Sequence, residues 1–373
     1  MPAIAGALIV ATVLWDAFET IVLPRRVARW FRLTRLYYIG AWFPWRAVAR
    51  RIPLKKSRET FLSFFGPLSL LVLFMLWAAA LICGFGLLYY NASRHDGFSP
   101  SIGTCFYLSG TTFFTLGLGD VTPHTSIERV FAVVESGLGF GFLALLLSYL
   151  PVIYQAFSRR EVNIVLLDAR AGSPPTAAEL LRRHSGPRGV EALRALLHDW
   201  ERWAAELLES HVSYPVVSYF RSQHNNESWL AALTAILDTC ALLIAVSEEE
   251  LARQALLTFA MCRHTVVDLS QVFFAAPRGL AENRLPAEDL QRLRDTLAQA
   301  GWRFPDTPAA NTKLVSLRQM YEPYVAGLSN HIYAELPPWI LPKAIADNWK
   351  TSAWGRLSGL TAPLSSDAAT DDH

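Results

Sequence analysis

The chain has 373 residues, 34 basic and 32 acidic groups, a hydrophobic fraction of 52% and a positive mean hydropathy of +0.24. Residues 1–160 carry 15 basic and 7 acidic groups and the remainder 19 and 25, so the second part is net −6 and shows no electrostatic footprint for nucleic acid. The four cysteines, Cys83, Cys105, Cys240 and Cys262, have no metal-type spacing and read as reduced, structural residues.

The first element is Pro2 to Leu23, apolar except for Asp16 and Glu19. It lacks a basic n-region, and its acids stand where a cleavage site needs small residues, which argues against a signal peptide. Residues 1–24 are expected to span a membrane with both acids near one interface; the rival is a helix lying on the surface. Residues 25–59 form a basic amphipathic linker, with eleven Lys or Arg and no acid between Arg25 and Arg58. Trp30, Phe31, Tyr37, Tyr38, Trp42 and Trp45 interleave with the charges, a pattern suited to anionic lipid. By the excess of basic residues this linker is cytoplasmic and the N-terminus outside.

No charged residue occurs from Thr60 to Ser93, and Glu135 is the only one from Val130 to Ser158. Both runs exceed the roughly 20 apolar residues that cross a bilayer. The expected outer helix covers 60–91, the inner helix 127–157, and between them 99–120 forms a re-entrant half-helix and loop. Ser99, Pro100 and Ser101 are good N-terminal residues for that half-helix. Its carbonyl end points into the membrane, where it favours a cation. Non-helical backbone survives at membrane depth only when buried in protein or lining a watery path. The segment TLGLG, Thr115 to Gly119, is then expected to return with alternating handedness, which glycine tolerates best. Asn91-Ala92-Ser93 fits a glycosylation acceptor, a weak pattern.

The wider string Thr112-x-x-Thr115-x-Gly117-x-Gly119-Asp120-x-x-Pro123, set between two spans, resembles the pore module of the tetrameric potassium-channel superfamily, whose filter reads TVGYG in its familiar form. The resemblance covers residues 60–158. It implies that carbonyls of Thr115, Leu116, Gly117, Leu118 and Gly119 hold K⁺ ions, that Thr111, Thr112 and Asp120 support the filter, and that Gly139 is a gating hinge. Close helix packing is the rival role for Gly139 and its neighbours Gly137 and Gly141. By the same alignment Glu135 lies one turn outward beside the half-helix, within reach of Ser109, Thr111 or Thr112, where it is expected to support the filter from behind; a buried carboxyl paired only for folding is the rival role. Leu118 replaces the usual aromatic, Tyr107 and Leu108 stand where paired tryptophans are common, and Thr111 occupies a place often held by glutamate. One filter loop per chain implies a homotetramer.

Residues 159–176 read as a linker, with a helix start at Thr176 and Glu179. Residues 177–364 read as an all-α cytosolic bundle, with helices expected over Ala177–Arg183, Val190–Val212, Ser228–Val246, Glu248–Phe274, Ala287–Ala300 and Asn311–Tyr333. Pro337-Pro338-Trp339 suggests a tail packed on the bundle, and 365–373 reads as disordered. His264 with Asp268, Asp238, and the group His198, Asp199 and Glu201 invite a ligand site, although satisfied core or surface positions are the commoner outcome. Arg221 to Asn226 forms a polar run between helices.

The expectation is an all-α, multi-pass membrane protein of the plasma (cell inner) membrane, with transmembrane helices, a re-entrant pore helix and a cytoplasmic helical domain. It is expected to conduct K⁺ as a homotetramer, with no catalytic residues and no metal beyond K⁺ in the filter. Membrane lipid is its expected partner, anionic at the linker, with a cytosolic ligand left open and nucleic acid excluded. A weakly selective cation channel and a membrane sensor or scaffold remain the alternatives.

Overall fold

The computed structural model describes residues 1–23, 32–95, 100–223, 227–246, 250–280 and 282–342. Among these residues there are helices and loops and no strand. The chain divides into two units, residues 1–159 with 209–221, and residues 160–208 with 222–373.

In the first unit, α1 (Pro2–Ala17) begins with proline, whose fixed φ suits a helix start, and continues as a π-helical turn over Phe18–Val22. It packs along α4 (Phe65–His95), where a Cβ on Gly6 would come within 2.6 Å of the Gly84 carbonyl. Small residues let these backbones approach. Asp16 and Glu19 are buried. Asp16 accepts from the Thr34 amide at 3.1 Å, the Thr34 hydroxyl at 2.6 Å and the Trp77 indole at 3.1 Å. Thr34 opens α2 (Leu33–Ala49), so this carboxylate meets the positive end of a helix. Glu19 accepts from Trp15 at 2.8 Å and lies 3.7 Å from Arg32. Both acids therefore serve to join α1 to the linker and the outer helix.

The basic linker contains α2 and α3 (Lys55–Ser63). Its first part, with Arg25, Arg26, Arg29, Trp30 and Phe31, lies outside the described residues. Trp42 does not face outward as the amphipathic reading expects. It is 4% exposed, with ring centroids 4.7 Å from Phe65 and 4.9 Å from Tyr219. Tyr219 belongs to a 3-10 turn, Pro215–Tyr219, and large rings stacked there gain more by burial than at a wet interface. Leu36, Ile39 and Phe43 form the exposed apolar face instead.

The pore-module elements are α4, α5 (Ile102–Phe113) and α6 (Ser126–Ala171). The inner helix does not end at 157. It continues through most of the expected linker to Ala171, because no breaker intervenes until Gly172 takes φ +83. At 1.5 Å per residue its 46 residues rise about 69 Å, more than twice the ~30 Å of a hydrocarbon core. The rest of that linker is packed, with Ser173 and Thr176 buried.

The second unit holds α7 (Ala177–Arg183), most of α8 (Gly186–Ser213), α9 (Trp229–Val246), α10 (Glu250–Val272), α11 (Ala287–Gln299), α12 (Pro308–Gln319) and α13 (Glu322–Ile332). Thr176 caps α7 by accepting from the Glu179 amide at 3.2 Å, and Thr307 caps α12 in the same way through Ala310. The expected helix Asn311–Tyr333 is two helices, because Tyr321 leaves helical backbone (φ −132) and Pro323 cannot donate to a continuing ladder. The apolar helix α9 is long enough to cross a membrane, yet 89% of it is buried inside the protein. It is the core of this unit. Thr258 and Thr265 of α10 donate to the Leu197 and Ala204 carbonyls of α8 at 2.9 and 3.0 Å. The tail packs as expected: Trp339 is fully buried and its carbonyl accepts from Ala178 at 3.1 Å. The remainder of the expected bundle, residues 343–364, and the tail 365–373 lie outside the described residues.

Candidate functional site

The site is built on the carbonyl end of α5. Ser101 caps its start, accepting from the Thr104 amide at 3.1 Å, which makes Ser101 the first cap among the described residues; Ser99 lies outside them. At the other end the helix stops at Phe113, and the chain turns sharply. The Thr112 carbonyl accepts from Thr115 N–H at 3.0 Å, and the Thr111 carbonyl from Leu116 at 2.8 Å and Gly117 at 3.4 Å. Thr111 and Thr112 thus hold the loop by backbone oxygens. The Thr111 hydroxyl bonds back to the Leu108 carbonyl at 3.0 Å.

Along the loop, φ is +56 at Thr115, +54 at Gly117 and +82 at Gly119, while Leu116 and Leu118 stay on the ordinary side. Left-handed and ordinary backbone thus alternate along the loop. Thr115 takes a left-handed position that sequence reasoning reserves for glycine, and a β-branched residue pays for it in strain. Residues 115–120 are all exposed within one chain, with Leu116 61% and Leu118 65% accessible. The Tyr107 hydroxyl faces the Asp120 carboxylate, a partner the sequence did not single out.

Gly139 sits where α6 crosses the end of α5. A Cβ there would lie 1.9 Å from the Phe113 carbonyl oxygen, and its three nearest neighbours are all backbone atoms. Nothing lies within 4 Å of the corresponding positions on Gly137 and Gly141. The structure therefore shows a close packing contact between Gly139 and the root of the loop.

Glu135, one turn earlier on α6, is fully buried. Ser109 of α5 is hydrogen-bonded to one carboxyl oxygen, and Tyr89 of α4 donates to the other at 2.9 Å. Ser109 was among the expected partners; Tyr89 was not, and Thr111 and Thr112 do not contact the carboxyl. At the start of α6, Thr125 and Glu128 form a reciprocal capping box: Glu128 N–H donates to the Thr125 hydroxyl at 3.1 Å, and Glu128 accepts from the His124 and Thr125 amides at 2.7 and 3.2 Å. Ser93 also donates to Glu128. The Asn91-Ala92-Ser93 acceptor pattern consequently lies inside α4 with Ser93 buried, which is no glycosylation loop.

In the second unit the suspected clusters separate. Asp238 is buried and paired with Arg284, Tyr321 donates to it, and Arg284 also donates to the Pro337 carbonyl at 2.8 Å. Burial alone would lower the Arg284 pKa, but Asp238 beside it carries it above the ordinary guanidinium value. His264 lies 3.5 Å from Asp268 with its ring largely exposed. Glu201 turns away from His198 and Asp199 to accept from Gln254 at 2.9 Å. Among the described residues no group of three potential metal ligands occurs. Of the polar run Arg221 to Asn226, Arg221 lies 3.7 Å from Glu59, and residues 224–226 lie outside the described residues. Burial pushes the Cys240 and Cys262 thiols up, and all four cysteines are free.

Residues 70–155 match a family model described as an ion channel. An uncharacterised membrane protein of Bacillus subtilis, YdjJ, is 21% identical over 265 residues, 69% of this chain and 75% of its own length. Protein LctB of Geobacillus stearothermophilus is 34% identical over 77 residues, 17% of this chain and 57% of its own length. No solved structure matches. The long apolar helices, the interrupted backbone between two of them and the matched segment agree: residues 70–155 match the two-transmembrane-helix ion channel family.

Proposed function

We propose that four copies of the chain surround one axis as a potassium-selective channel, with the carbonyls of Thr115, Leu116, Gly117, Leu118 and Gly119 replacing the water shell of K⁺. The observation that carries this reading is the alternating handedness at Thr115, Gly117 and Gly119, hung from the carbonyl end of α5. Backbone carbonyls so arranged offer a cation stacked oxygen rings without any charged side chain. One loop supplies only a quarter of each ring. The inner helix is suited to partners, since only 11% of its most apolar window is buried within one chain, against 50% for the outer segment.

In this reading the channel lies in the plasma (cell inner) membrane. The basic linker faces the cytoplasm against anionic lipid, the N-terminus is outside, and the second unit is cytoplasmic. The long continuation of α6 into that unit makes its helices the natural place for a cytosolic ligand to bias opening. Asp120 braces the outer mouth with Tyr107. A weakly selective cation channel is the second reading, favoured by Leu118, which has no hydroxyl to anchor the filter from outside its ring.

Purified protein in liposomes tests the proposal. A K⁺ gradient should drive uptake of tracer rubidium, and the particle should contain four chains by mass. A conducting monomer or dimer, or a tetramer passing no monovalent cation, contradicts it.

A further inference from the structure

Glu135 carries a proton-counting problem. Its carboxyl is fully buried at membrane depth, and an ionisable group there is costly unless paired. The elements packed on it are α4 and α5. From α4 it meets Tyr89, and from α5 Ser109; no Lys, Arg or His among the described residues faces it. Cys105 is the other titratable side chain buried on that face of α5. Along α6 itself the next acid is Glu128, two turns away and satisfied by two backbone amides and Ser93.

Ser109 has one proton and two acceptors within reach, the Glu135 carboxyl and the Ile82 carbonyl at 2.9 Å. If Glu135 were a carboxylate, it would take the protons of both Tyr89 and Ser109, and the contact from Ser109 to Ile82 would have none. If Glu135 is the neutral acid, every contact has its proton. Tyr89 donates to one carboxyl oxygen, the acid donates from the other to Ser109, and Ser109 donates to Ile82.

We propose that Glu135 is held as the neutral acid and is a proton-dependent positioning residue, relaying hydrogen bonds from Tyr89 through Ser109 to Ile82 and so tying α4, α5 and α6 together behind the loop. Loss of its proton swings the Ser109 hydroxyl to the carboxylate, releases Ile82 and loosens the pore helix. A cavity of about 290 Å³, lined by Tyr89, Ser93, Cys105, Leu108, His124 and Glu128, reaches the Tyr89 side chain. The effect on conduction rests on the channel reading; the protonation itself does not.

Infrared spectroscopy of the full-length protein in liposomes tests the relay without any current. The wild type should show a protonated-carboxyl stretch that Glu135→Gln removes and Ser109→Ala moves to higher frequency. No such band, or one that Ser109→Ala leaves in place, overturns the proposal. In bilayers, Glu135→Gln, which keeps a neutral donor and acceptor, should conduct at every pH, while the wild type loses open probability as pH rises on the cavity side. Identical pH profiles overturn the positioning role. A wild type that shows the band and passes no current defeats the channel reading alone.

Discussion

Gly139→Ala separates two roles for one glycine by the sign of a stability change. A methyl group at this position meets the Phe113 carbonyl oxygen at 1.9 Å, its carbon at 2.9 Å and its Cα at 3.2 Å. All three are backbone, so no side chain can rotate away. Restoring ordinary contact requires the end of α5 to shift by roughly 1.5 Å, and overpacking of this kind costs about 1–3 kcal/mol or more. Were Gly139 only a hinge, alanine would gain helix propensity and stabilise the protein by up to about 1 kcal/mol. The assay is thermal unfolding of the purified protein in detergent, followed by tryptophan fluorescence, with Gly137→Ala as the control that meets nothing in its own chain. The packing account expects a lower midpoint and lost current for Gly139→Ala alone. A midpoint at or above wild type, with conduction retained, refutes it.

Three further outcomes are expected. Gly117→Ala should abolish current while leaving assembly intact, since φ +54 strains any residue with a Cβ, and this is read by size-exclusion chromatography beside bilayer recording. Arg284→Met should destabilise the second unit by about 3–5 kcal/mol by leaving Asp238 buried without its charge partner, seen as a lower denaturant midpoint. Ser57→Cys should resist an impermeant thiol reagent added outside intact cells, and labelling there would reverse the proposed topology.

What could be read from the sequence was local. The apolar runs, the string from Thr112 to Pro123, and the helix over Ser228–Val246 each lie within one stretch of chain, and each is recovered as helix or loop. What escaped was mostly contact between distant segments. Tyr89 meets Glu135 across 46 residues, Ser93 meets Glu128 across 35, and Trp77 meets Asp16 across 61. Helical periodicity places each on a face but cannot set the register of one helix against another. Arg284 lies in a loop, where no periodicity marks it as the partner of Asp238. Two signals in the sequence agree with the structure against the expected bounds: nothing between residue 157 and Gly172 breaks the inner helix, and Pro323 helps to divide the expected helix Asn311–Tyr333. Of the two roles the sequence allows Gly139, the Phe113 carbonyl beside it makes the packing contact visible.

The central claim is that backbone carbonyls of the Thr115–Gly119 loop select K⁺. It is tested most directly by the reversal potential of single channels with K⁺ on one side of a bilayer and Na⁺ on the other, for the wild type and for Leu118→Tyr. Because both proteins keep the same carbonyls, both should reverse close to the K⁺ equilibrium potential. A wild-type reversal near zero, with K⁺ and Na⁺ passing alike, would contradict the claim.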